Sequence, residues 1–417
     1  MVGRDPTEVM YQALACQQEG RLGAAEILYR EALQIIPESF DALHMLGVVR
    51  LQLGDPEEGA RLILEAIRVV QVEYPPAYGN LGLCLVAIAR KRGIFRQLID
   101  PEVPESDRPQ VHFERDLPTM AGEPPLVSVV MPCFNHERFV AEALRSVFVQ
   151  TYRNLELIVI DDGSRDASVQ VITEILKECP FSVYFNAREN QGAHHTINEC
   201  IHMAHGHYVA ILNADDRYAP GRIETLVRVL TQTGMQWGFT GVRFMNDDGD
   251  PVEYGDNELV DAYIRHTDEV YGLRTSTASS FLGFNCAISA GNLFFEKNIW
   301  EHMGGFREYQ KVFGWDFCLR ALLIGAPSLL YEPFYHSRVH AAETIPEPGA
   351  AVTEEADRLI SDWIAEVARQ PGLNPKIGGS IFAEQSAREW RLLMDGRGHL
   401  VRPRRLIELA QSVLAGG

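Results

Sequence analysis

Three apolar runs, each ending in polar or acidic residues, constrain the fold of this chain more than any other feature. They span residues 126–135, 155–164 and 207–216. Short runs that are apolar throughout are typical of strands buried on both faces, as in parallel sheets. The second run ends at Asp161-Asp162 and the third at Asn213-Ala-Asp215-Asp216. These strands would therefore deliver carboxylates to one edge of a sheet.

Helical periodicity separates the predicted strands. Apolar residues recur at helical spacing after the first run at Phe139, Val140, Ala143, Leu144, Val147 and Phe148. They recur after the second run at Val171, Ile172, Ile175 and Leu176, with Ser164 or Asp166 as the expected cap. Strands that alternate with helices predict a parallel α/β sheet. Ligands of such sheets bind beyond the carboxyl ends of the strands, where the acidic pairs would lie.

Adjacent carboxylates repel one another, so a positive group usually accompanies them. A divalent cation that prefers oxygen ligands is the simplest such group. The alternative is structural, because Asp often follows a strand in an Asx-turn or caps the next helix. The residues alone leave both interpretations open.

Residues 125–340 resemble a family 2 glycosyltransferase with the GT-A fold. The order of the matching segments carries the resemblance, and these segments are Met131-Pro-Cys-Phe-Asn-His136, Ser146-Val-Phe-Val-Gln-Thr-Tyr152, Ile160-Asp-Asp-Gly-Ser164, Arg188-Glu-Asn-Gln-Gly192, Gly206-His-Tyr208, Asn213-Ala-Asp-Asp216 and Gly304-Gly-Phe306. The resemblance implies an α/β, Rossmann-like nucleotide-diphospho-sugar transferase domain. It implies transfer of a sugar from a nucleotide diphosphate donor to an acceptor hydroxyl with inversion. Family frequency favours a UDP-sugar as donor, with dTDP- and GDP-sugars as the alternatives. A hexosyl- or N-acetylhexosaminyltransferase is the expected class.

The resemblance also assigns roles in donor binding. Asp215 is the expected ligand of Mn²⁺ or Mg²⁺, which would stabilise the charge on the leaving diphosphate, and Asp216 is expected beside it. Asn213 stands where many relatives have Asp. Asp161 and Asp162 match the family's nucleoside-binding acids, with an Asx-turn as the alternative. His340 matches a metal-binding histidine that some GT-A enzymes supply after the sheet.

Other positions follow from the same alignment. The remaining expected donor contacts are Pro132 and Phe134 in the base pocket, Arg188, Gly192 and Asn198 in a nucleotide-facing segment, and Arg338 at the phosphates. The expected contacts to the acceptor or the transferred sugar are Gly291, Asn292 and Trp315.

The catalytic base is the point at which this chain departs from the family. Inverting transfer needs a carboxylate that removes the acceptor proton. Gly314 occupies the usual acidic position, and Asp316 is the acid retained nearby. Asp316 is the predicted base; alternatively it pairs with Arg320 four residues later, and the chain is catalytically impaired.

The N-terminal part predicts a different, all-α module. Gly20, Ala25, Tyr29, Ala32 and Pro37 are echoed 34 positions later by Gly54, Gly59, Ile63, Ala66 and Gln71, for instance 54 − 20. This period predicts tetratricopeptide repeats, which stack pairs of helices and often bind a protein partner. The alternatives are an ordinary helical bundle that braces the enzyme, or a self-association module.

Breaks in pattern give the expected domain boundaries. We expect TPR-like helical repeats over residues 1–98, a linker without helical or strand pattern over 99–124, the GT-A domain over 125–345, and a helical extension over 346–417 that packs on the transferase domain.

The composition of the chain limits which classes of binding partner are expected. A net charge of −19 argues against a nucleic-acid partner, because phosphate binding needs a basic face. No apolar stretch approaches the roughly 20 residues of a membrane span, and no hydrophobic secretory run opens the chain. The seven cysteines lack Cys-x-x-Cys spacing, so the sequence indicates neither a zinc site nor a disulfide framework. A cytoplasmic location is the simplest expectation. The expected partners are a nucleotide-sugar donor, a glycan or protein acceptor, and a protein bound by the repeats.

Two competing functions remain. One is a non-catalytic TPR scaffold with a degenerate nucleotide-sugar-binding domain, which Gly314 motivates. The other is a nucleotidyltransferase on a similar sheet. It is disfavoured because such enzymes need a glycine-rich basic loop after the first strand, and residues 132–137 are not one.

Overall fold

The structure is a computed structural model that describes residues 4–70, 74–92, 110–112, 124–257, 284–340, 350–369 and 403–415, with positions 260, 261, 263, 264, 281, 392 and 401. The chain divides into two compact units. Unit 1 comprises Met1–Pro101 with Glu384–Gly417, and unit 2 comprises Glu102–Ala383.

Both units contain helices, and the sheet lies in unit 2. The helices of the described residues are α1 (Pro6–Gln18), α2 (Leu22–Ile35), α3 (Phe40–Gln52), α4 (Pro56–Val69), α5 (Pro75–Arg92), α6 (Val140–Phe148), α7 (Ser168–Ile175), α8 (Ala193–Met203), α9 (Arg222–Thr233), α10 (Lys297–Met303), α11 (Phe313–Leu322), α12 (Ala350–Arg369) and α13 (Pro403–Ala415). The strands are β1 (Gln110–His112), β2 (Val127–Cys133), β3 (Leu155–Asp161), β4 (Ser182–Ala187), β5 (Tyr208–Ile211), β6 (Arg217–Tyr218), β7 (Trp237–Met245), β8 (Phe294–Glu296) and β9 (Ser328–Arg338).

Unit 1 stacks its helices in sequence order, each against the next. The 34-residue period has a structural counterpart, because Gly20 and Gly54 both end a helix with positive φ, at 75° and 84°. Tyr29 and Ile63 are both fully buried. Helices α3 and α4 cross at Gly47, where a Cβ atom would lie 2.9 Å from the carbonyl oxygen of Gly59. The helical nature of this module is therefore confirmed, and its assignment as tetratricopeptide repeats stays a prediction.

The C-terminal segment is divided between the two units. Helix α12 belongs to unit 2, where Nε1 of Trp363 donates a hydrogen bond to the carbonyl oxygen of Leu319, 2.6 Å away. Helix α13 packs instead on α4 and α5 of unit 1, and Nη1 of Arg92 donates to the carbonyl oxygen of Val413 over 2.8 Å. Our expectation that the whole extension packs on the transferase domain is therefore wrong for α13. Apolar spacing shows that a helix has a face to bury, but it does not show which surface receives it.

The sheet of unit 2 has the strand order β1-β9-β7-β8-β5-β2-β3-β4, and β6 pairs with β9. Strands β5, β2, β3 and β4 are parallel to one another, with Val130 opposite both Ile158 and Ile211. Strand β8 is antiparallel to β5 and β7. Strand β1 lies inside the predicted linker and pairs in parallel with β9. The expectation of no strand over residues 99–124 is therefore wrong at residues 110–112. Pairing with a strand more than 200 residues away leaves no local signal.

The core explains why the predicted strands and helices form. Strand β2 is buried on both faces, and α6 covers the sheet with Val140, Ala143, Leu144 and Val147, at the spacing that the sequence shows. Mixed pairing around a parallel centre, with helices on the sheet, is the GT-A architecture predicted from the sequence. Among the described residues, no helix is long and apolar enough to cross a membrane.

Candidate functional site

The carboxyl ends of β2, β3 and β5 meet at one edge of the sheet. Cys133 is the Cα partner of Asp161, and β5 ends at Ile211, just before the segment Asn213–Asp216. The parallel register therefore brings both acidic segments to the same edge, as the sequence predicts. Strand β9 contributes its own end, because β6 and β7 pair with it through His336 and Arg338.

Asp216 is the buried member of the acidic pair. Its exposed fraction is 3%, and it accepts hydrogen bonds from the hydroxyl of Tyr335, from the backbone N–H of Arg338 at 2.7 Å and from Nδ2 of Asn213 at 3.0 Å. Burial, and then the charge of Asp215, raises the pKa of its carboxyl. These contacts make Asp216 an anchor between the β5 and β9 ends.

Asp215 is the accessible member of the pair. Its side chain is 19% exposed, and Oδ2 lies 3.2 Å from Nε2 of His340. Burial by itself raises the pKa of the Asp215 carboxyl, but the hydrogen bond to His340 and the charge of His136 outweigh it, so the net shift is downward. The structure thus brings together Asp215 and His340, the two residues that the resemblance assigns to the metal.

His340 lies between two carboxylates. Its Nδ1 atom is 2.7 Å from Oδ1 of Asp247, while its Nε2 atom faces Asp215. The hydrogen bond with Asp215, reinforced by the one with Asp247, raises the pKa of His340 to about 9. The ring also packs against Phe139, with ring centroids 5.1 Å apart. A positive charge is therefore favoured at this point of the site.

The pair Asp215–His340 fits a small divalent cation. Adjacent ligand atoms on an octahedral ion with bonds of about 2.1 Å are about 3 Å apart, close to the 3.2 Å between Oδ2 and Nε2. Carboxylate oxygens suit both Mn²⁺ and Mg²⁺, whereas imidazole nitrogen suits transition-metal ions, so this pair of donors favours Mn²⁺ of the two. Within the described residues no group of three or more His, Cys, Asp or Glu side chains is arranged to hold a metal ion, so the protein would supply at most the two ligand atoms of this pair. A cation held here would therefore keep positions open for other oxygens, as Mg²⁺ usually does at substrate phosphates.

Arg338 is buried at the site and bonds to the backbone around Asp215 and Asp247. Its Nε atom donates to the carbonyl oxygen of Asp215 at 2.8 Å, and Nη1 donates to those of Asn246 and Asp247 at 2.7 and 3.0 Å. Nη2 pairs with Glu142 at 2.6 Å, and the side chain is 1% exposed. The guanidinium that we expect at the donor phosphates is thus engaged with the protein, and it ties together the segments on either side of His340.

Asp161 and Asp162 are also engaged within the chain. Asp161 accepts hydrogen bonds from the backbone N–H and the hydroxyl of Ser164, at 2.9 and 2.6 Å. Asp162 pairs with Arg188 and accepts the backbone N–H groups of Gln191 and Gly192 at 2.8 and 3.0 Å. Asp161 therefore forms the turn that the alternative interpretation expects. Asp162 shapes the loop before α8, in which Gly192 adopts a φ of 96°.

The first loop of the site presents an accessible aromatic side chain. Phe134 follows β2 and is 43% exposed, and Pro132, within the end of β2, is partly exposed. The adjoining Asn135 accepts the backbone N–H of Arg165 at 2.8 Å, and its own N–H donates to Ser164 at 2.8 Å. These bonds hold the loops after β2 and β3 together, one residue from the exposed ring of Phe134.

The predicted acceptor-side residues are largely buried. Asn292 is fully buried, and it bonds through both ends of its amide to the backbone of Thr240. Trp315 is 8% exposed, and its Nε1 atom donates to the carbonyl oxygen of Phe281 at 2.7 Å. Gly291 lies so close to the Tyr335 hydroxyl that a Cβ atom would overlap it, and that Cβ would lie 3.0 Å from Cγ of Asn213.

Asn198, predicted at the nucleotide, holds the Gly304–Phe306 segment. Its Oδ1 atom accepts hydrogen bonds from Nε1 of Trp300 and from the backbone N–H of Phe306, at 2.9 and 2.8 Å. Its Nδ2 atom donates to the carbonyl oxygen of Phe306 at 2.8 Å. All three bonds are internal, so Asn198 links α8 to the segment before α11.

Asp316 lies in a buried ion pair. It is 1% exposed, and its Oδ2 atom accepts from Nε and Nη2 of Arg320 at 2.8 and 2.6 Å. Its Oδ1 atom lies 3.6 Å from Nη1 of Arg307. This is the contact that the alternative interpretation of Asp316 expects. At Gly314 a Cβ atom would lie 3.0 Å from the backbone nitrogen of Ala290, so this backbone leaves little room for an acidic side chain there.

Sequence reasoning missed Asp247, Glu142 and Tyr335. Asp247 lies 93 residues from its partner His340, and Glu142 lies 196 residues from Arg338. Asp247 belongs to an Asn-Asp-Asp-Gly-Asp stretch that signals a turn. Nothing in that turn signal indicates which side chain its carboxylates meet.

A family model supports the assignment of this region. The model described as Glycosyl transferase family 2 matches residues 128–290, the part of the chain that contains Asp161, Asp162 and Asp215. An uncharacterized glycosyltransferase of Rickettsia typhi is 27% identical over 253 residues, covering 59% of this chain and 74% of the relative. One from Haemophilus influenzae is 30% identical over 129 residues, covering 31% of this chain and 52% of the relative.

Two solved structures resemble the chain in part. The mannosyltransferase PcManGT from Pyrobaculum calidifontis, in complex with GDP-Man and Mn²⁺, has a TM-score of 0.47 at 16% identity, over 82% of this chain and 85% of that one. TarS 1–349 from S. aureus, in complex with UDP, has a TM-score of 0.43 at 16% identity, over 63% of this chain and 74% of that one. The overlaps are partial, and the fold stands on the strand order described above.

Proposed function

We propose that this protein is a metal-dependent inverting glycosyltransferase that moves a sugar from a nucleotide diphosphate donor, UDP-sugar first, to an acceptor hydroxyl. One observation carries the proposal: Asp215 and His340 face each other at the carboxyl edge of the sheet, 3.2 Å apart, and Asp215 lies in the segment that the Glycosyl transferase family 2 model matches. A hexosyl or N-acetylhexosaminyl unit is the proposed cargo, with a glycan or protein as acceptor. A cytoplasmic location is part of the proposal.

Some residues of the site would contact the donor, and others position the contacting residues. Asp215 and His340 would hold Mn²⁺ or Mg²⁺, which supplies positive charge against the leaving diphosphate. Phe134 offers its exposed ring to the base of the nucleotide, since bases stack well on aromatic side chains. Asp161 and Asp162 frame the nucleoside by bracing the loops of the β3 end, and Asn213 fixes Asp216.

The acceptor side sets the main condition on catalysis. Attack at the anomeric carbon needs a base within hydrogen-bond reach of the acceptor hydroxyl. Asp316 is the proposed base, and its Oδ2 atom pairs with Nη2 of Arg320 at 2.6 Å. To act, it must present Oδ1, on the side of Arg307, to the acceptor.

A second candidate function follows from the same ion pair. If Asp316 serves only to pair with Arg320 four residues later on α11, the domain binds a nucleotide-sugar without transferring it, and unit 1 is the functional partner module. Gly314 and the 1% exposure of Asp316 favour this candidate. The unit 1 helices would bind a protein under either function.

Turnover of a donor panel separates the two candidates. UDP-, dTDP- and GDP-sugars are incubated with Mn²⁺ and the protein, and released nucleoside diphosphate is followed by ³¹P NMR. Transfer or donor hydrolysis that Asp316→Asn abolishes supports a working base. Asp250→Asn is the matched control, since Asp250 is exposed and carries the same charge. Donor binding without turnover by the wild-type protein supports the scaffold.

A further inference from the structure

Asp247 is held at a defined point by its own turn. The turn follows β7, and Oδ1 of Asn246 accepts the backbone N–H groups of Asp248 and Asp250, both at 2.9 Å. The backbone N–H of Asn246 donates to the carbonyl oxygen of Asp250 at 2.8 Å. Such side-chain bonds to the backbone fix a tight turn. The carboxylate of Asp247 is therefore presented from a braced segment.

The same guanidinium fixes Asp247 and Asp215 on either side of His340. Arg338 donates to the carbonyl oxygens of Asp247 at 3.0 Å and of Asp215 at 2.8 Å. Its guanidinium also lies 4.5 Å from the ring centroid of Phe139, which packs against the His340 ring. The buried Arg338 side chain therefore contacts Asp215 and Asp247, which flank the imidazole, and also Phe139, which packs against it.

We propose that Asp247 is a positioning residue that fixes the tautomer and orientation of His340, so that Nε2 faces Asp215 as a ligand for the cation. A neutral imidazole carries one N–H, and whichever nitrogen donates leaves the other with its lone pair. Donation from Nδ1 to Asp247, at 2.7 Å, directs the lone pair of Nε2 to the side of Asp215. Carboxylate partners of this kind orient metal-binding histidines in many proteins. The inference rests on the proposed function for the cation itself.

The affinity for Mn²⁺ alone gives the first test, measured by calorimetry on the full-length chain. Removing an outer carboxylate from a metal-binding histidine typically weakens metal binding about tenfold to a hundredfold. We expect that loss for Asp247→Ala. We expect a smaller loss for Asp247→Asn, whose amide oxygen still accepts the Nδ1–H. Asp248→Ala is the matched control, because the neighbouring carboxylate is exposed and belongs to the same turn. Equal affinities of Asp247→Ala and Asp248→Ala overturn the proposal.

A metal-free readout separates this inference from the proposed function. Nitrogen-15 NMR of the histidine rings, at a pH where His340 is neutral, reports which ring nitrogen carries the proton. We expect the Nδ1–H form in the wild type and in Asp248→Ala. In Asp247→Ala we expect the Nε2–H form, which donates to Asp215. A wild-type protein that does not bind Mn²⁺ but shows this switch refutes the metal role and leaves the positioning role standing. The same tautomer in all three proteins refutes the positioning role.

Discussion

Replacing Arg338 with lysine tests whether this guanidinium supports the site or meets the donor. The arginine side chain is 1% exposed and pairs with Glu142 at 2.6 Å. It also donates to three backbone carbonyl oxygens that belong to Asp215, Asn246 and Asp247. A lysine keeps the charge but not the planar fork, so several of these acceptors lose their donor.

The expected cost follows from the burial and the number of bonds. Glu142 is 40% exposed, so its pairing contributes little, but each buried carbonyl oxygen that loses its donor costs about 1–3 kcal/mol. Lysine retains one favourable contact, so we expect the free energy of unfolding to fall by about 3 kcal/mol. For a domain of this size that corresponds to a drop in Tm of about 6–10 °C.

Thermal unfolding of the ligand-free protein, followed by tryptophan fluorescence, measures this change. The signal reports mainly on unit 2, because four of the five tryptophans, Trp237, Trp300, Trp315 and Trp363, lie there. Arg145→Lys is the matched control, since Arg145 is 52% exposed in its pair with Glu178, and exposed pairs contribute about 1 kcal/mol or less. If Arg338→Lys unfolds at the wild-type temperature but loses affinity for UDP, the guanidinium contacts the donor and the structural assignment is wrong.

Three further predictions concern the packing around the site. Burial, and then the charge of Arg217, lowers the pKa of His336 to about 4. Between its ordinary pKa of 6.5 and about 4, the ring is therefore neutral in the folded protein but protonated in the unfolded chain. The free energy of unfolding should therefore fall by about 2 kcal/mol as the pH drops from 6.5 towards 4. In urea unfolding at several pH values, His336→Gln should lack this part of the loss. An equal dependence of the unfolding free energy on pH in both proteins would contradict the prediction. Gly291→Ala should cost about 2–4 kcal/mol in urea unfolding, because the added methyl group displaces the Tyr335 hydroxyl from Asp216, and a cost below ~0.5 kcal/mol would show that the ring yields. Gly314→Asp should lower the melting temperature and give no gain in donor turnover, because its Cβ lies 3.0 Å from the Ala290 backbone nitrogen; a large gain would show that a base can be restored there.

The edge of the sheet could be predicted from the sequence because its signal is local. Apolar runs that stop at Asp161 and at Asn213 define buried strands, and parallel strands bring their carboxyl ends together. The helical spacing of Val140, Ala143, Leu144 and Val147 likewise gives α6. These features need no knowledge of distant residues.

The partners of the site residues could not be predicted in the same way. Arg338 has a side chain suited to phosphates, yet its actual acceptors are backbone carbonyl oxygens that only the folded chain assembles. Asp162 carries a charge suited to a ribose, yet three internal donors already occupy it. A residue type shows what a side chain is able to bind, whereas long-range packing decides which partner reaches it first.

The helix α13 and the strand β1 illustrate the same limit for whole elements. Helix α13 has an apolar face that the sequence shows, but the surface covering it belongs to unit 1. Strand β1 is only three residues long and is defined by its pairing with β9. Both depend on contacts between parts of the chain that are far apart in sequence.

The central claim is a cation-dependent nucleotide site at Asp215 and His340. Calorimetric titration of UDP tests it most directly, with Mn²⁺ and again with EDTA, on the wild type, Asp215→Ala and the exposed control Asp250→Ala. We predict binding by the wild type and the control with Mn²⁺, and none with EDTA or in Asp215→Ala. The same titration with dTDP and GDP covers the other donors. The claim would be contradicted if none of the three nucleotides bound, or if binding were unchanged both by EDTA and by the loss of Asp215.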